Sequence, residues 1–233
     1  ALDIVFISNG EKNADLNWKH LEKVHKHNAC TNRLVRSDGV NGRTQAYKAA
    51  AELSETEWFY AVFAKHEPIE SFHYDWQPDR LKSPCHYIFN GINEINKLEY
   101  GHSGVILYEK NLVLQTTDPG LDFTLSAKHD VVPIVTAINR FAYTPLMSWR
   151  TAFRECIKLK YDVDTTGDIE QKYRLKVWCT EGEGKNAEWC IRGANDAVDY
   201  MTSVDSNMED LKKSYDFDWL INYFTNKYGN VND

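Results

Sequence analysis

Two apolar hexapeptides, LDIVFI at residues 2–7 and WFYAVF at residues 58–63, frame the stretch that decides the fold. Each is a short run of β-branched, aromatic and aliphatic residues with little polar alternation, the pattern of a strand covered on both faces. The first is broken only by Asp3 and ends at Ser8, Asn9 and Gly10, residue types that turn a chain. Between the two lie two helical stripes. Ala14, Trp18, Leu21 and Val24 recur at helical spacing, with Asn13 available as a cap and the pattern stopping near Asn28. Ala46, Ala49, Ala50 and Leu53 form the second stripe, over 44–53, with small side chains suited to lying close on a sheet. A short strand over 33–36 separates them, followed by the turn SDGVNG. Strand, helix, strand, helix, strand in the first 65 or so residues predicts an α/β fold with a mostly parallel central sheet flanked by helices. Such sheets bind ligands beyond the carboxyl ends of their strands, which points to 8–11, 36–42 and 64–67.

Farther along, residues 70–87 are rich in Pro, His and aromatics, and 98–115 alternate like paired strands, GVILY and then NLVLQ. Thr144 and Pro145 open a helix whose stripe is Leu146, Trp149, Phe153, Cys156 and Ile157. Residues 173–179 read as a strand, 180–188 as a loop, and 217–228 as a terminal amphipathic helix with Trp219, Leu220, Tyr223 and Phe224 inward. Neither an internal repeat nor a linker breaks the pattern, so a single domain with an α+β second half is expected.

The composition, 42% hydrophobic and 26% charged, is that of a globular protein and excludes collagen-like, coiled-coil and disordered classes. No apolar run approaches the ~20 residues of a membrane span, and the N-terminus lacks the order of a secretory signal. A cytoplasmic protein (host cytoplasm if viral) with no membrane partner is the expectation. The five cysteines are scattered and never form Cys-x-x-Cys, which argues against a disulfide framework and a structural zinc site. The formal charge of -7 is carried by residues 162–233, with 8 basic and 15 acidic groups, while the rest balances. Between Lys19 and Lys48 seven cations face only Glu22 and Asp38, so an anion would sit there most readily. A phosphate loop, a Gly-x-Gly-x-x-Gly fingerprint and a Gly-x-Ser-x-Gly elbow are all missing from the sequence.

The segments DIVFIS, NADLNW, GVNGRTQAYKAAA, LEYGHSGV, LDFTLSAKHDVVP and WRTAFRECIKL touch about two thirds of the chain. Together they resemble GT-A-type glycosyltransferases, and within them the phage-encoded TET-associated glycosyltransferases. The resemblance implies transfer of a sugar from a nucleotide sugar such as a UDP-sugar to a hydroxyl. It implies a hydroxymethylated pyrimidine of phage DNA, such as hydroxymethylcytosine, as acceptor. Residues 1–67 would be the nucleotide-binding half and 68–233 the acceptor half. Ser8, Asn9, Glu11, Arg36, Gly42, Gln45 and Lys65 would meet the nucleotide.

Where the family has Asp-x-Asp, this chain has Ala64, Lys65, His66 and Glu67. Two readings follow. Either His66 and Glu67, joined by His102 or His129, hold Mn or Mg, or Lys65, Arg150 and Arg154 neutralise the diphosphate directly. Arg150 and Arg154 are four apart on one helix face and could clamp a phosphate as paired forks. An inverting transfer needs a carboxylate base; Glu155 is the first candidate and Asp122 the second. The plain alternatives are a surface pairing of Glu155 with Lys158 and a turn-capping Asp122. Tyr74, Trp76 and Arg80, interleaved with Lys82 and Tyr87, are the candidate acceptor surface, with His129 facing it; the alternative is that these aromatics are core. Two other functions compete: a non-catalytic nucleotide- or glycan-binding module, and a transferase acting on a polysaccharide or small molecule.

Overall fold

The N-terminal alternation folds as its pattern dictates. The computed structural model describes residues 1–117 and 123–231, and the side chains of His102, Ser103, Phe123 and Leu125 lie outside that description. Strand β1 spans Asp3–Ser8, helix α1 Ala14–His27, β2 Leu34–Asp38, α2 Arg43–Leu53 and β3 Trp58–Phe63. β1 pairs in parallel with both β2 and β3, placing Ser8 opposite Asp38 and Ile7 opposite Phe63. Three strand carboxyl ends therefore share one edge. β4 (His66–Pro68), β5 (His86–Asn93), β6 (Glu99–Glu109) and β7 (His129–Asn139) complete a seven-stranded sheet of order β2-β1-β3-β6-β5-β7-β4.

The fold class is α/β, but the sheet is mixed. β6 runs antiparallel to β3 and β5, β4 antiparallel to β7, and β5 parallel to β7. The parallel trio β2-β1-β3 is the part whose helical crossovers were legible. The hairpin of β5 and β6 brings the opposite direction, since a short connection joins only antiparallel strands.

Alternation along β1 sends Ile4 and Phe6 to one face and Val5 and Ile7 to the other. The first face is covered by Leu21 and Val24 of α1 and by Phe72 and Tyr74. The second is covered by Ala50 and Ala51 of α2 and by Val113 of α3 (Lys110–Gln115). Ile4, Val5 and Phe6 are fully buried, each burial contributing about 1.5–3 kcal/mol. A short helix, α4 (Phe123–Ser126), precedes β7.

The chain divides into two units, residues 1–93 with 99–140 and residues 94–98 with 141–233. The sheet runs across residue 67, where the two halves were expected to meet: β6 pairs with β3, β5 pairs with β6, and β7 pairs with β5 and β4. Past residue 141 the second unit's regular elements are helical: α5 (Pro145–Thr166), α6 (Ile169–Thr180), α7 (Ala187–Ser203), α8 (Met208–Leu211) and α9 (Phe217–Tyr228). Thr144 caps α5, its Oγ1 accepting from the Met147 N–H at 3.1 Å, and Gly167 ends it at φ 68°. A Cβ at Gly193 of α7 would lie 2.3 Å from the Trp149 carbonyl oxygen, so glycine alone lets α5 and α7 approach this closely. The Glu94 carboxylate accepts from the N–H groups of Phe141 and Ala142, both at 2.7 Å, and Ile95 O accepts from Glu183 N–H at 3.0 Å.

Three local readings are corrected. Residues 173–179 lie within α6, burying Leu175, Val177 and Trp178. Residues 111–115 belong to α3 and not to a strand. Asn13 stands at the start of α1 but makes no side-chain cap there.

Candidate functional site

The edge where β1, β2 and β3 end is built by a few short links. Gly39 N–H donates to Ser8 O at 3.0 Å, and Ala64 N–H donates to Ile7 O at 3.0 Å, which carries the parallel pairing into the loops. Asn17 of α1, buried, donates from Nδ2 to Ala64 O at 2.7 Å and fixes the turn that bears exposed Lys65. Gly10, Gly39 and Gly42 take φ of 78°, 77° and 90°, values that favour glycine. Nothing lies within 4 Å of where a Cβ would sit at Gly10 or Gly39, so this edge is open. At Gly42 the Gln45 side chain folds back over the backbone instead.

The charged centre is Arg36. Its Nε donates to Ser8 Oγ at 3.0 Å, and one terminal nitrogen reaches Asp15 Oδ1 at 2.8 Å. Its other terminal nitrogen lies 3.7 Å from Asp38 Oδ1. The guanidinium sits 5.5 Å from the Phe6 ring centroid and 6.0 Å from that of Trp18. Ser8 Oγ passes the link on, donating to Asp38 Oδ1 at 2.5 Å. Beside it the Asn9 N–H donates to Glu11 Oε2 at 2.6 Å and Asn9 Nδ2 to Asn41 Oδ1 at 3.3 Å. Ser8, Asn9, Glu11 and Arg36 are thus brought together.

Arg36, expected to meet the nucleotide, is engaged by two carboxylates and by Ser8. Asp38 and Asn41 were not singled out from the sequence. The available signal was a carboxylate directly after Ser at a strand end, in SDG. With Asp38 59% exposed, the edge presents acceptors and amides suited to hydroxyls and ring N–H groups.

His66 and Glu67 do not form a metal pair. Adjacent strand residues face opposite ways. His66 is buried, its ring 6.1 Å from Phe63, and burial followed by the charge of Lys65 pulls its pKa down to about 3. Glu67 is bonded to Arg140. Among the described residues no three His, Cys, Asp or Glu side chains are grouped to hold a metal ion. Among the described residues, His66 and Glu67 do not fit the expected Mn or Mg.

The expected acceptor surface is also dispersed. Tyr74 is core, 1% exposed and packed against Tyr60 and Phe72, and burial drives its pKa upward. The Trp76 ring packs tilted against that of Tyr87, 4.8 Å between centroids, and the two line an open depression of about 390 Å³ with Lys82 and Asp130, which pair at 2.7 Å. Arg80 turns elsewhere, over Trp58 and paired with Glu57. His129 Nδ1 meets Ala127 O at 2.8 Å.

Glu155, Arg150 and Arg154 all lie on α5 in the second unit, half-buried. Both arginines face the Phe217 ring, at 4.8 and 4.9 Å. Asp122 lies outside the described residues, and so does the side chain of His102.

No protein-family model matches the sequence, and no curated protein matches it. Among solved structures, the chain is similar to HddC from Yersinia pseudotuberculosis at 11% identity, over 57% of this chain and 71% of that one, with a TM-score of 0.36. It is also similar to a glycosyltransferase involved in the glycosylation of the major capsid of PBCV-1, at 13% identity, over 56% of this chain and 82% of that one, with a TM-score of 0.35.

Proposed function

We propose that the strand-end edge of the first unit binds the nucleotide of a nucleotide sugar, and that the protein is a glycosyltransferase. The observation that carries this reading is the Ser8, Arg36 and Asp38 cluster beside the open Gly10 and Gly39 turns, at the place where α/β sheets take ligands. Asp38 accepts from a ribose hydroxyl or a ring N–H, Asn9 supplements it, and Lys65 faces the diphosphate. The segments that resemble TET-associated glycosyltransferases point to a hydroxymethylated pyrimidine in DNA as the acceptor.

The transfer needs a carboxylate to take the proton of the acceptor hydroxyl as its oxygen bonds to the anomeric carbon, and Glu155, then Asp122, are the candidates that the resemblance supplies. The bond from that carbon to the diphosphate oxygen breaks, and the nucleoside diphosphate leaves with the electron pair. A second reading, a nucleotide- or glycan-binding module, is favoured by one fact. The His66 and Glu67 pair is committed to a core and to an ion pair.

Thermal unfolding with a panel of nucleotide sugars tests the donor site, since a ligand at 100 times its dissociation constant adds about 2.7 kcal/mol. Stabilisation by one nucleotide family, weakened at least tenfold by Asp38→Asn, is the expected result; no stabilisation overturns the donor site. Transfer to hydroxymethylated DNA that survives in Glu155→Gln would move the base elsewhere. Binding without turnover would establish the module.

A further inference from the structure

Most arginines here have a carboxylate within 4 Å. Arg33 pairs with Asp3, Arg36 with Asp15, Arg80 with Glu57, Arg140 with Glu67, Arg174 with Glu170 and Arg192 with Glu188. Arg150 and Arg154 are different, although the acidic excess of the chain lies in residues 162–233 of the same unit. Arg154 donates from Nε to Ser214 O at 2.7 Å, which leaves both its terminal nitrogens without a carboxylate among the described residues. Arg150 makes no hydrogen bond or ion pair with any described residue.

The two are nevertheless held. One turn apart on α5, they rest on the half-exposed Phe217 ring at 4.8 and 4.9 Å, and one turn farther Lys158 lies 5.0 Å from the Tyr215 ring. The neighbouring Asp216 is engaged in capping α9, accepting from Trp219 N–H at 3.0 Å. Burial, and then the charge of Arg154, lower the pKa of Arg150, the mark of two cations kept close without a counterion. Contact with one ring restrains both side chains before a ligand arrives, so less side-chain entropy is lost when the forks meet an oxyanion.

We propose that Arg150 and Arg154, seated on Phe217, form a binding site for a tetrahedral oxyanion, a phosphate or phosphomonoester group. The site lies wholly in the second unit and stands whether or not the strand-end edge binds a nucleotide.

Calorimetric titration of the full chain with inorganic phosphate, at ionic strength matched with chloride, tests it. Saturable one-to-one binding is expected, weakened at least tenfold by Arg150→Gln or Arg154→Gln and unchanged by Arg174→Gln. Arg150→Lys keeps the charge and the stacking stem but loses the fork, and is expected to weaken binding as well if Arg150→Gln fails to fold. The absence of saturable binding, or equal affinity in a folded Arg150 variant, overturns the proposal. Competition with a nucleoside diphosphate separates the sources: displacement identifies a diphosphate terminus as the occupant, and independent binding identifies a separate phosphomonoester. Asp38→Asn should leave phosphate affinity intact; its loss there would overturn the independence of the two sites.

Discussion

Arg36 and Arg150 carry the same group and rest on aromatic rings in the same manner, yet one is spent and the other is not. Arg36 lies over Phe6 and Trp18 and is closed off by Asp15 and Asp38. Arg150 lies over Phe217 beside Arg154, with no ion pair to a carboxylate among the described residues. Ring contact restrains a guanidinium in both places; the carboxylates decide whether its charge remains for a ligand. The first arginine becomes scaffolding for Ser8 and Asp38. The second keeps its forks.

The largest test breaks the platform under Arg150. Asp196 of α7 is buried and accepts from Trp149 Nε1 at 2.8 Å, Lys227 Nζ at 2.5 Å and the Tyr228 hydroxyl at 2.5 Å, tying α5 to α9. Asp196→Ala should cost on the order of 3 kcal/mol in urea unfolding, because three donors lose a charged acceptor. Phosphate affinity should fall with it while nucleotide affinity persists; an equal fall in both would merge the two arginine sites.

Acid separates the units in the opposite sense. All eight histidines fall in the first unit. His86 is fully buried, its Nδ1 accepting from Glu109 N–H at 3.0 Å and its ring 5.0 Å from Tyr108. Burial, and then His129, pull its pKa from 6.5 down to about 4. A base whose folded pKa is depressed is neutral when folded, so its contribution is intact above pH 6.5 and is lost as pH falls toward 4. Stability should drop by about 1.4 kcal/mol per pH unit across that window. His66, held down to about 3 by burial, adds a slope of the same sign over the same window, so His86→Gln should reduce the fall by the His86 share and not abolish it, as followed by denaturation at stepped pH, and a slope unchanged by the substitution would exclude His86 as a source.

The smallest effect sharpens the comparison at Arg36. Asp15 is 86% exposed, so Asp15→Asn should cost less than about 1 kcal/mol. The same change should raise the affinity of the strand-end edge for anions by a few-fold, because it makes Arg36 more like Arg150. Unaltered phosphate binding at that edge would show that Asp38 alone suffices to spend the charge.

These contrasts explain what the sequence could and could not reveal. β1, α1, β2, α2 and β3 were legible because their signal is local, a run of apolar residues or a stripe of them. The strand-end edge followed from that order alone. Residues 173–179 misled because Tyr173, Leu175 and Val177 alternate with Arg174 and Lys176, and a short stretch fits both a two-residue and a helical period. Tyr74 looked like a surface aromatic in a polar segment, yet the sheet face that covers it is made by Tyr60 and Phe89, distant in sequence. The state of each arginine was hidden for the same reason. Asp15 lies 21 residues from Arg36 and Phe217 lies 67 from Arg150. Partners at such separations leave no periodic trace.

The Glu94 carboxylate, bonded to the N–H groups of Phe141 and Ala142, bears on how the protein can be dissected. Since residues 94–98 belong to the second unit and both flanking strands to the first, the backbone passes from one unit to the other three times. A single cleavage after residue 140 would release a helical fragment without its own acceptor for two amides and without the Ile95 carbonyl that receives Glu183 N–H. Truncation at that point therefore yields an incomplete piece, and a faithful excision of the second unit would have to carry the 94–98 segment along with it.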